Sequence, residues 1–327
     1  MTAGICNIRN AGRIALSVLG MLVLCAGALA QGYPVRPVRI IVPFPPGGGF
    51  DGIARPFAEK LTGILGQPVI LENRPGAGGN IGLEVAKNAA GDGYTLLIAN
   101  EILGTNPSLY KSVPYDSVRD FAPISRLGTV PIAIAVNPAV PVRDTKELIA
   151  LSRTRALNYG TPGVGTGPHL FGEALNLSGV MHLVHIPYKG SGLAITDTIG
   201  GQIEMVMTTL SSLAPQIRAG KLRGISVTGS NRSSFMPELP TLAESGATGL
   251  TYEVWYGFFA PAATPEAILR RLHEATVQAL AQPDLIERLK KTGYEPGSST
   301  PQALMDIVRT DLAKWQRVVR EAKISAE

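Results

Sequence analysis

The sequence predicts an α/β protein of two lobes that the chain crosses twice. Short β-branched runs alternate with helical patterns from Val38 onward, which is typical of α/β folds. With 327 residues, of which 45% are hydrophobic and 17% charged, the chain can bury more than one core. The alternation starts afresh after an apolar run at 132–136 and ends at a dense aromatic run at 254–260. We interpret these two runs as crossing strands that form a hinge, with a ligand cleft between the lobes.

The chain is therefore expected to divide into four segments. These are an export signal at 1–30, the first part of lobe 1 at 31–131, lobe 2 at 132–253, and a return to lobe 1 at 254–327. In the first segment Arg9 and Arg13 precede an apolar run at 14–24, and Ala28-Leu29-Ala30 is a small-x-small cleavage pattern. The alternatives are a retained N-terminal anchor and a lipid on Cys25, which the bulky Leu24 before it disfavours.

Composition excludes several classes of function. The formal net charge is only +5, and no basic run interleaved with aromatic residues occurs, so no nucleic-acid partner is expected. Cys6 and Cys25 are the only two cysteines, and both lie in the predicted signal. The mature chain is therefore expected to have no cysteine nucleophile, disulfide or cysteine-based metal site.

Lobe 1 is expected to begin with strands at 38–44, 69–71 and 94–99. The first strand runs into three glycines at 47–49 and a helix whose N-cap we predict to be Asp51. The second ends in a glycine-rich turn at 72–80, and Asn100 and Glu101 follow the third. Ligands of open parallel sheets lie outside the carboxyl ends of strands, so these three loops are candidates for one site.

Lobe 2 repeats the pattern and implies a second complete sheet. We expect strands at 157–159, 183–186, 203–207 and 222–227, with helices at 145–152, from His169 and up to Ile199. After the aromatic strand at 254–260 the chain is predicted to be helical, with Thr264 and Thr300 as N-caps that each precede a proline. The last helix, at 304–322, is expected to pack on lobe 1.

The loops at 47–49 and 160–167 are interpreted as two halves of an anion-binding site that face each other across the cleft. Glycines let backbone N–H groups approach a ligand closely, and each following helix start adds partial positive charge. No G-x-x-x-x-G-K-[ST] motif occurs, and residues 47–52 match only part of a dinucleotide fingerprint. No cofactor is expected. His182 and His185 lack an acidic partner at metal-ligand spacing, so a metal site is not expected either.

Individual side chains leave alternatives open. His169 either packs locally or contacts the ligand, and Tyr188 belongs either to the core or to a turn at a strand end. Glu101 is either exposed or points into the cleft, where it would repel a carboxylate and favour a ligand with an amine or amide. No G-x-S-x-G motif occurs, so Ser191 is interpreted as a helix-start residue rather than a nucleophile.

Several motifs together resemble one family, the periplasmic solute-binding receptors of tripartite tricarboxylate transporters, also called Bug receptors. The motifs that carry the resemblance span the mature chain: Tyr33-Pro34, residues 42–51, Glu72-Asn73-Arg74-Pro75-Gly76-Ala77-Gly78-Gly79, residues 106–110, Pro187-Tyr188-Lys189-Gly190, Gly200-Gly201-Gln202, residues 219–223 and Trp255-Tyr256-Gly257.

The resemblance implies a type II periplasmic binding protein fold that closes on a small carboxylate, without catalysis, as a monomer. It places the ligand contacts on Phe44, Pro45, Gly47, Gly48, Asp51, Gly78, Gly79, Ala99 and Asn100 in lobe 1, and on Gly160, Thr161, Gly165, Thr166, His169, Tyr188 and Thr208 in lobe 2. Glu101 joins this candidate site from its position beside Asn100. The expected partners are a small organic anion, which is a carboxylate, a carboxylate-bearing amino acid or an aromatic acid, and the transporter's membrane subunits. Signalling to a sensor kinase and a secreted hydrolase are the alternative functions.

Two positions depart from the pattern of many relatives. Glu101 follows the third strand where small or hydroxyl residues are usual, and Thr208-Thr209 stand where an acidic or serine residue is common. Both positions lie where ligand identity is expected to be decided. The resemblance therefore does not transfer any particular ligand to this chain.

Overall fold

A computed structural model describes residues 32–326, so the predicted export signal at 1–30 lies outside the described residues. Ten strands are present within the described range: β1 Val38–Val42, β2 Val69–Asn73, β3 Thr95–Ala99, β4 Phe121–Val136, β5 Leu157–Thr161, β6 Leu183–Pro187, β7 Met205–Thr209, β8 Arg223–Val227, β9 Glu253–Pro261 and β10 Glu295–Pro296. Ten α-helices accompany them: α1 Gly49–Leu65, α2 Asn80–Lys87, α3 Ile102–Leu109, α4 Thr145–Thr154, α5 Gly167–Leu177, α6 Ser191–Ile199, α7 Leu210–Arg218, α8 Glu266–Leu280, α9 Pro283–Lys291 and α10 Pro301–Glu321.

Strand β4 belongs to the sheets of both lobes. Its first part pairs antiparallel with β9, from Phe121 opposite Pro261 to Pro131 opposite Glu253. From Ile132 onward it pairs with β7 on one edge, and from Ala133 with β8 on the other. The predicted α/β fold of two lobes is confirmed. Lobe 2 has the expected second set of paired strands, and the shared strand β4 joins it to the sheet of lobe 1, so that all ten strands are continuous.

The strand order brings the ends of the parallel strands to the cleft. In lobe 1, β1 lies between β2 and β3 and pairs parallel with both. In lobe 2, β5 lies between β6 and β7 and again pairs parallel with both. The predicted lobe bounds at 131/132 and 253/254 remain a proposal, which the change of pairing partner after Pro131 supports.

Helix α3 is an element of lobe 1 that the sequence pattern does not indicate, as are β10 and residues 121–131 of β4. Six of its eight residues are buried, so it has no polar stripe, and Pro107 lies inside it. It is buried because α10 crosses it closely. A Cβ atom added at Gly104 would lie 2.6 Å from the Cβ of Asp311 on α10. The glycine therefore sets the distance between the two helices.

Two of the three predicted N-caps are wrong. Thr300 does cap α10, since its hydroxyl accepts a hydrogen bond from the Ala303 N–H at 3.1 Å. Helix α8 instead has Pro265 as its N-cap, and Thr264 does not cap it. Helix α1 begins at Gly49 with Gly48 as N-cap, so Asp51 lies in the first turn and pairs with Arg55 at 2.9 Å.

Helix α10 contacts both lobes. It packs on α3 and β4, as predicted, but also on α5 of lobe 2. The indole of Trp315 is fully buried and meets the Tyr252 ring edge-on, with centroids 5.0 Å apart. Asp311 accepts a 2.7 Å hydrogen bond from the indole N–H of Trp255. The prediction that this helix packs on lobe 1 alone is therefore incomplete. Across the described residues, none of the helices has both the length and the apolar character needed to cross a membrane.

Gly63→Ala and Gly104→Ala are expected to change stability in opposite directions. Both glycines lie in helices, but a Cβ at Gly63 meets nothing within 4 Å, whereas one at Gly104 meets α10. Gly63→Ala should raise the free energy of unfolding by about 0.5 kcal/mol through helix propensity. Gly104→Ala should lower it by about 1–3 kcal/mol through overpacking. Urea denaturation of both variants checks this, and equal effects would contradict the close helix crossing.

Candidate functional site

A cavity of about 750 Å³ lies between the lobes. It is lined by the loops that follow β1, β3, β5 and β7 and by the first turns of the helices after them. Ten of the predicted site residues line it: Phe44, Pro45, Gly47, Gly48, Gly78, Asn100, Glu101, Gly165, Thr166 and Thr208. Their contact with a ligand remains a proposal. Seven others lie outside the lining: Asp51, Gly79, Ala99, Gly160, Thr161, His169 and Tyr188.

The first loop holds its glycines in a fixed backbone conformation at the start of α1. Gly47 has a φ of +82°, a region that residues with a Cβ rarely adopt. The amide of Asn73 donates a 2.8 Å hydrogen bond to the Phe44 carbonyl and so ties the loop to the end of β2. The first N–H groups of α1 have no partner within the helix, so they are available to an anion.

Four aromatic residues that also line the cavity pack against this loop. The Phe44 ring stacks on Phe50 with centroids 4.9 Å apart, and Phe50 meets Tyr256 edge-on at 5.1 Å. The Tyr294 hydroxyl donates a 2.6 Å hydrogen bond to the Gly49 carbonyl. A Cβ at Gly49 would lie 2.7 Å from the Tyr256 hydroxyl, so glycine is required for this close packing.

The second and third loops of lobe 1 are tied to each other. Asn106 on α3 donates through its amide to the Gly78 carbonyl at 3.0 Å and to the Asn80 Oδ1 at 2.8 Å. The Asn100 Oδ1 accepts from the Ile102 N–H at 3.2 Å and so fixes the start of α3. Gly79 packs against Ile102, and Ala99 is fully buried in β3, which removes both from the cavity surface.

In lobe 2, residues 164–166 line the cavity, and hydrogen bonds within the lobe fix the conformation of their loop. The Thr166 hydroxyl donates to the Gly163 carbonyl at 2.8 Å. The Gly165 N–H donates to the His169 Nδ1 at 3.0 Å, so His169 takes the first of its two alternatives, local packing.

His169 and His185 form a stacked pair behind this loop, with ring centroids 3.7 Å apart. Burial and the neighbouring His185 lower the pKa of His169 to about 3, and burial lowers the pKa of His185 to about 4. The His185 Nε2 lies 2.7 Å from the Thr161 hydroxyl. Both rings are therefore neutral at pH 7, and they fix the loop rather than face the cavity.

Tyr188 and Gly160 also support the loop from within lobe 2. The Tyr188 hydroxyl donates to Asp197 at 2.8 Å, and burial together with that carboxylate raises its pKa to about 12. A Cβ at Gly160 would lie 3.1 Å from the Tyr188 ring and 2.6 Å from Ile203. The absence of a side chain at Gly160 thus lets the Tyr188 ring pack over β5.

Five hydroxyl residues line the lobe 2 wall, of which only Thr208 was predicted as part of the site. The Ser191 hydroxyl lies 2.8 Å from that of Thr208, and the Thr209 hydroxyl lies 2.9 Å from that of Ser212. Ser211 lines the cavity beside them. Thr208 and Thr209 end β7, and Ser211 and Ser212 lie in the first turn of the helix that follows it. Their position after a parallel strand is the sequence signal that indicates them.

Glu101 is buried at the cavity wall rather than exposed. Its side chain is 7% exposed, and its Oε2 has no hydrogen-bond partner among the described residues. Burial, with repulsion from Asp311, raises the pKa of Glu101 to about 8. None of the described residues that line the cavity is Lys, Arg or His. Within residues 32–326, no cluster of three or more His, Cys, Asp or Glu side chains is arranged to hold a metal ion.

The family model described as "Tripartite tricarboxylate transporter family receptor" matches residues 53–324. The chain is 35% identical to protein BugT of Bordetella pertussis over 314 residues, which cover 94% of this chain and 96% of that protein.

Three solved structures are similar over almost the whole chain. The periplasmic binding protein BugD is 34% identical with a TM-score of 0.76, and the match covers 90% of this chain and 99% of BugD. R. palustris Rpa4515 with adipate is 31% identical with a TM-score of 0.80, and the match covers 90% of this chain and 99% of Rpa4515. MatC from Rhodopseudomonas palustris with bound malate is 30% identical with a TM-score of 0.75, and the match covers 88% of this chain and 100% of MatC.

His169→Asn is expected to reduce the loss of stability in acid. Because the folded-state pKa is depressed, the unfolded state takes up protons first as the pH falls below 6.5, so stability is lost between pH 6.5 and about 3. At pH 5 the loss from His169 amounts to about 2 kcal/mol. Asn keeps an acceptor near the Nδ1 position but does not titrate.

The check is urea denaturation at pH 7 and pH 5. The matched control is His182→Asn, because His182 is exposed and lies outside the stacked histidine pair. The assignment fails if the wild type and His169→Asn lose the same stability between the two pH values.

Proposed function

This chain belongs to the tripartite tricarboxylate transporter receptor family, and on that premise we propose that it captures one small organic carboxylate between its lobes. We further propose that it acts in the periplasm, after removal of the signal at 1–30, and delivers the ligand to the membrane subunits of a tripartite tricarboxylate transporter. The proposal includes a monomeric receptor without catalytic activity.

The observation that carries the proposal is the meeting of two glycine loops at one cavity. Residues 47–49 and Gly165 line it from opposite lobes, and each loop leads into a helix of more than ten residues. Backbone N–H groups at helix starts bind carboxylates without a cationic side chain. This matters because no cation lines the cavity within the described residues.

The energies are sufficient for such a site. Micromolar affinity requires about 8 kcal/mol. A hydrogen bond to a charged group contributes roughly 1.5–3 kcal/mol, and a partly buried helix N-terminus adds up to about 2 kcal/mol. Five or six backbone and hydroxyl donors therefore suffice before ordering costs are subtracted. The cavity has glycine loops and the hydroxyls of Thr166 and Thr208 to supply them.

The relatives support the ligand class. One similar structure was solved with adipate and another with bound malate, both of which are small carboxylates. Adipate and malate differ in chain length and hydroxyl content. We therefore propose a small carboxylate as the class of ligand for this chain, and neither of these two compounds in particular.

Two other functions have less support. A secreted hydrolase needs a base beside its nucleophile. The hydroxyl of Ser191 is instead hydrogen-bonded to that of Thr208, and neither His169 nor His185 lines the cavity. Signalling to a sensor kinase would use the same ligand site, and a pull-down from membranes with the ligand-bound receptor would distinguish it from transport.

Gly48→Val is expected to abolish most carboxylate binding while leaving the fold intact. Gly48 has a φ of −87° and a ψ of −175°, which valine adopts easily, and an added Cβ meets only the Pro45 carbonyl at 3.7 Å. The valine would occupy the cavity and cover the N–H groups. We expect affinity for a carboxylate that stabilises the wild type in a thermal-shift panel to fall at least tenfold, about 1.4 kcal/mol.

Calorimetry with that carboxylate gives the measurement, and circular dichroism checks the helical content. Gly192→Val is the matched control, because its added Cβ meets nothing within 4 Å and Gly192 does not line the cavity. Unchanged affinity in the Gly48 variant would refute the glycine loop as an anion site.

Ser191→Ala tests the absence of catalysis. Incubation of the purified protein with p-nitrophenyl acetate should give no turnover above background in the wild type or the variant. Turnover that is present in the wild type and lost in the variant would overturn the receptor proposal in favour of a hydrolase.

A further inference from the structure

Glu101 is a buried acid without a cationic partner. It stands between β3 and α3, lines the cavity, and is 7% exposed. Its Oε2 makes no hydrogen bond to any described residue. Within residues 32–326, no ion pair includes it. A buried carboxylate in this state is costly unless a charge or donor arrives from elsewhere.

The groups that face Glu101 do not supply that charge. Asp311 on α10 raises its pKa by repulsion, and the phenol of Tyr252 lies beside it. Tyr256 on β9 is also buried and lies close enough to Glu101 for that carboxyl to raise its pKa. Lys314, one turn beyond Asp311, lies over the rings of Trp315 at 4.4 Å and Tyr252 at 5.3 Å. Its ammonium is thus held on the aromatic surface and does not form an ion pair with Glu101.

Tyr252 lies between Glu101 of lobe 1 and the start of α5 in lobe 2. A Cβ added at Gly167, the first residue of α5, would lie 2.3 Å from the Tyr252 hydroxyl. That hydroxyl is buried and lies beside the Glu101 carboxyl. A phenol offers Glu101 a polar neighbour but no positive charge. The carboxyl at the cavity wall therefore still lacks a cationic partner.

The rest of the cavity is organised for a carboxylate. The glycine loops and hydroxyls take one negatively charged end of a ligand. A second negative end at Glu101 would find no Lys, Arg or His among the described lining residues. A positively charged end would instead give Glu101 the counter-ion that it lacks.

We propose that Glu101 selects ligands that carry a protonated amine at the end opposite their carboxylate. The proposal rests on the function proposed above, because it takes the cleft as the ligand site. Glu101 is mainly protonated at pH 7, so binding of an ammonium displaces its proton. The O–H bond of Glu101 breaks, the proton goes to solvent, and the carboxylate accepts a hydrogen bond from the ammonium, which keeps its own charge.

Matched ligand pairs test this selection. Adipate and 6-aminohexanoate share a six-carbon chain and differ at one end, as do glutarate and 5-aminopentanoate, and succinate and 4-aminobutanoate. We expect the amino acid of at least one pair to bind at least tenfold more tightly than its dicarboxylate. Calorimetry at pH 7 in phosphate and in Tris should show release of about 0.9 proton per amino acid bound, and little release with a dicarboxylate.

Glu101→Gln separates this role from a structural one. The variant keeps the shape of the side chain but does not ionise. Its affinity for the amino acid should fall at least tenfold and proton release should vanish, while affinity for the dicarboxylate should stay within threefold or rise. Glu238→Gln is the control, since Glu238 is exposed and should change none of these values.

A stability readout shows that the variant is folded. Because the folded-state pKa of Glu101 lies near 8, above its ordinary value of 4.5, the folded state holds more protons than the unfolded state between these values. Wild-type stability contributed by this group is therefore lost as the pH rises from 4.5 to 8. Glu101→Gln should lack that loss and be more stable than the wild type at pH 8.

The outcomes distinguish the two proposals. If no carboxylate of any pair stabilises the wild type, the proposed receptor function fails. If the dicarboxylate binds more tightly in every pair, or the amino acid binds without proton release and equally to Glu101→Gln, the role of Glu101 fails while the receptor function stands.

Discussion

The hydrogen bonds of one long strand, β4, fix the positions of the two lobes and of the cleft between them. Strand β4 has 16 residues and gives its first part to the sheet of lobe 1 and its last five residues to that of lobe 2. Because β9 runs beside it up to Pro131, two neighbouring strands connect the lobes. The parallel strands on either side end at the cleft between them, so the loops that line the cavity come together there.

Within the described residues, the cleft presents backbone N–H groups, and no cationic side chain, to a negatively charged ligand. Cationic side chains are absent from its lining in the described part of the chain, and the aromatic cluster of Phe44, Phe50, Tyr256 and Tyr294 keeps the first glycine loop rigid. In lobe 2 the stacked pair of His169 and His185 has the same supporting role. Rigid loops reduce the ordering cost of binding, which is where a site built from backbone donors gains affinity.

How much the sequence could predict depends on whether a feature is local. Alternating apolar runs and glycine-rich turns are local, and they indicate the parallel strands and the turn at 47–49. They miss residues 121–131 of β4 and the short strand β10. The burial of α3 is not local, because it depends on α10 crossing at Gly104. The direction of His169 depends in the same way on a partner 16 residues away, His185. The burial of Glu101 follows from Tyr252 and Asp311, which are distant in sequence and adjacent only in the folded protein.

The glycine loops have a consequence for how such a receptor diverges. A backbone N–H is present whatever the side chain, so if the proposed glycine loops bind the carboxylate, mutation of other lining residues leaves those donors in place. The rest of the lining includes replaceable side chains, with Thr208, Thr209 and Ser212 in lobe 2 and Glu101 in lobe 1. Gene duplicates of this chain can therefore acquire new ligands through one or two substitutions, because the costly part of recognition is inherited with the fold.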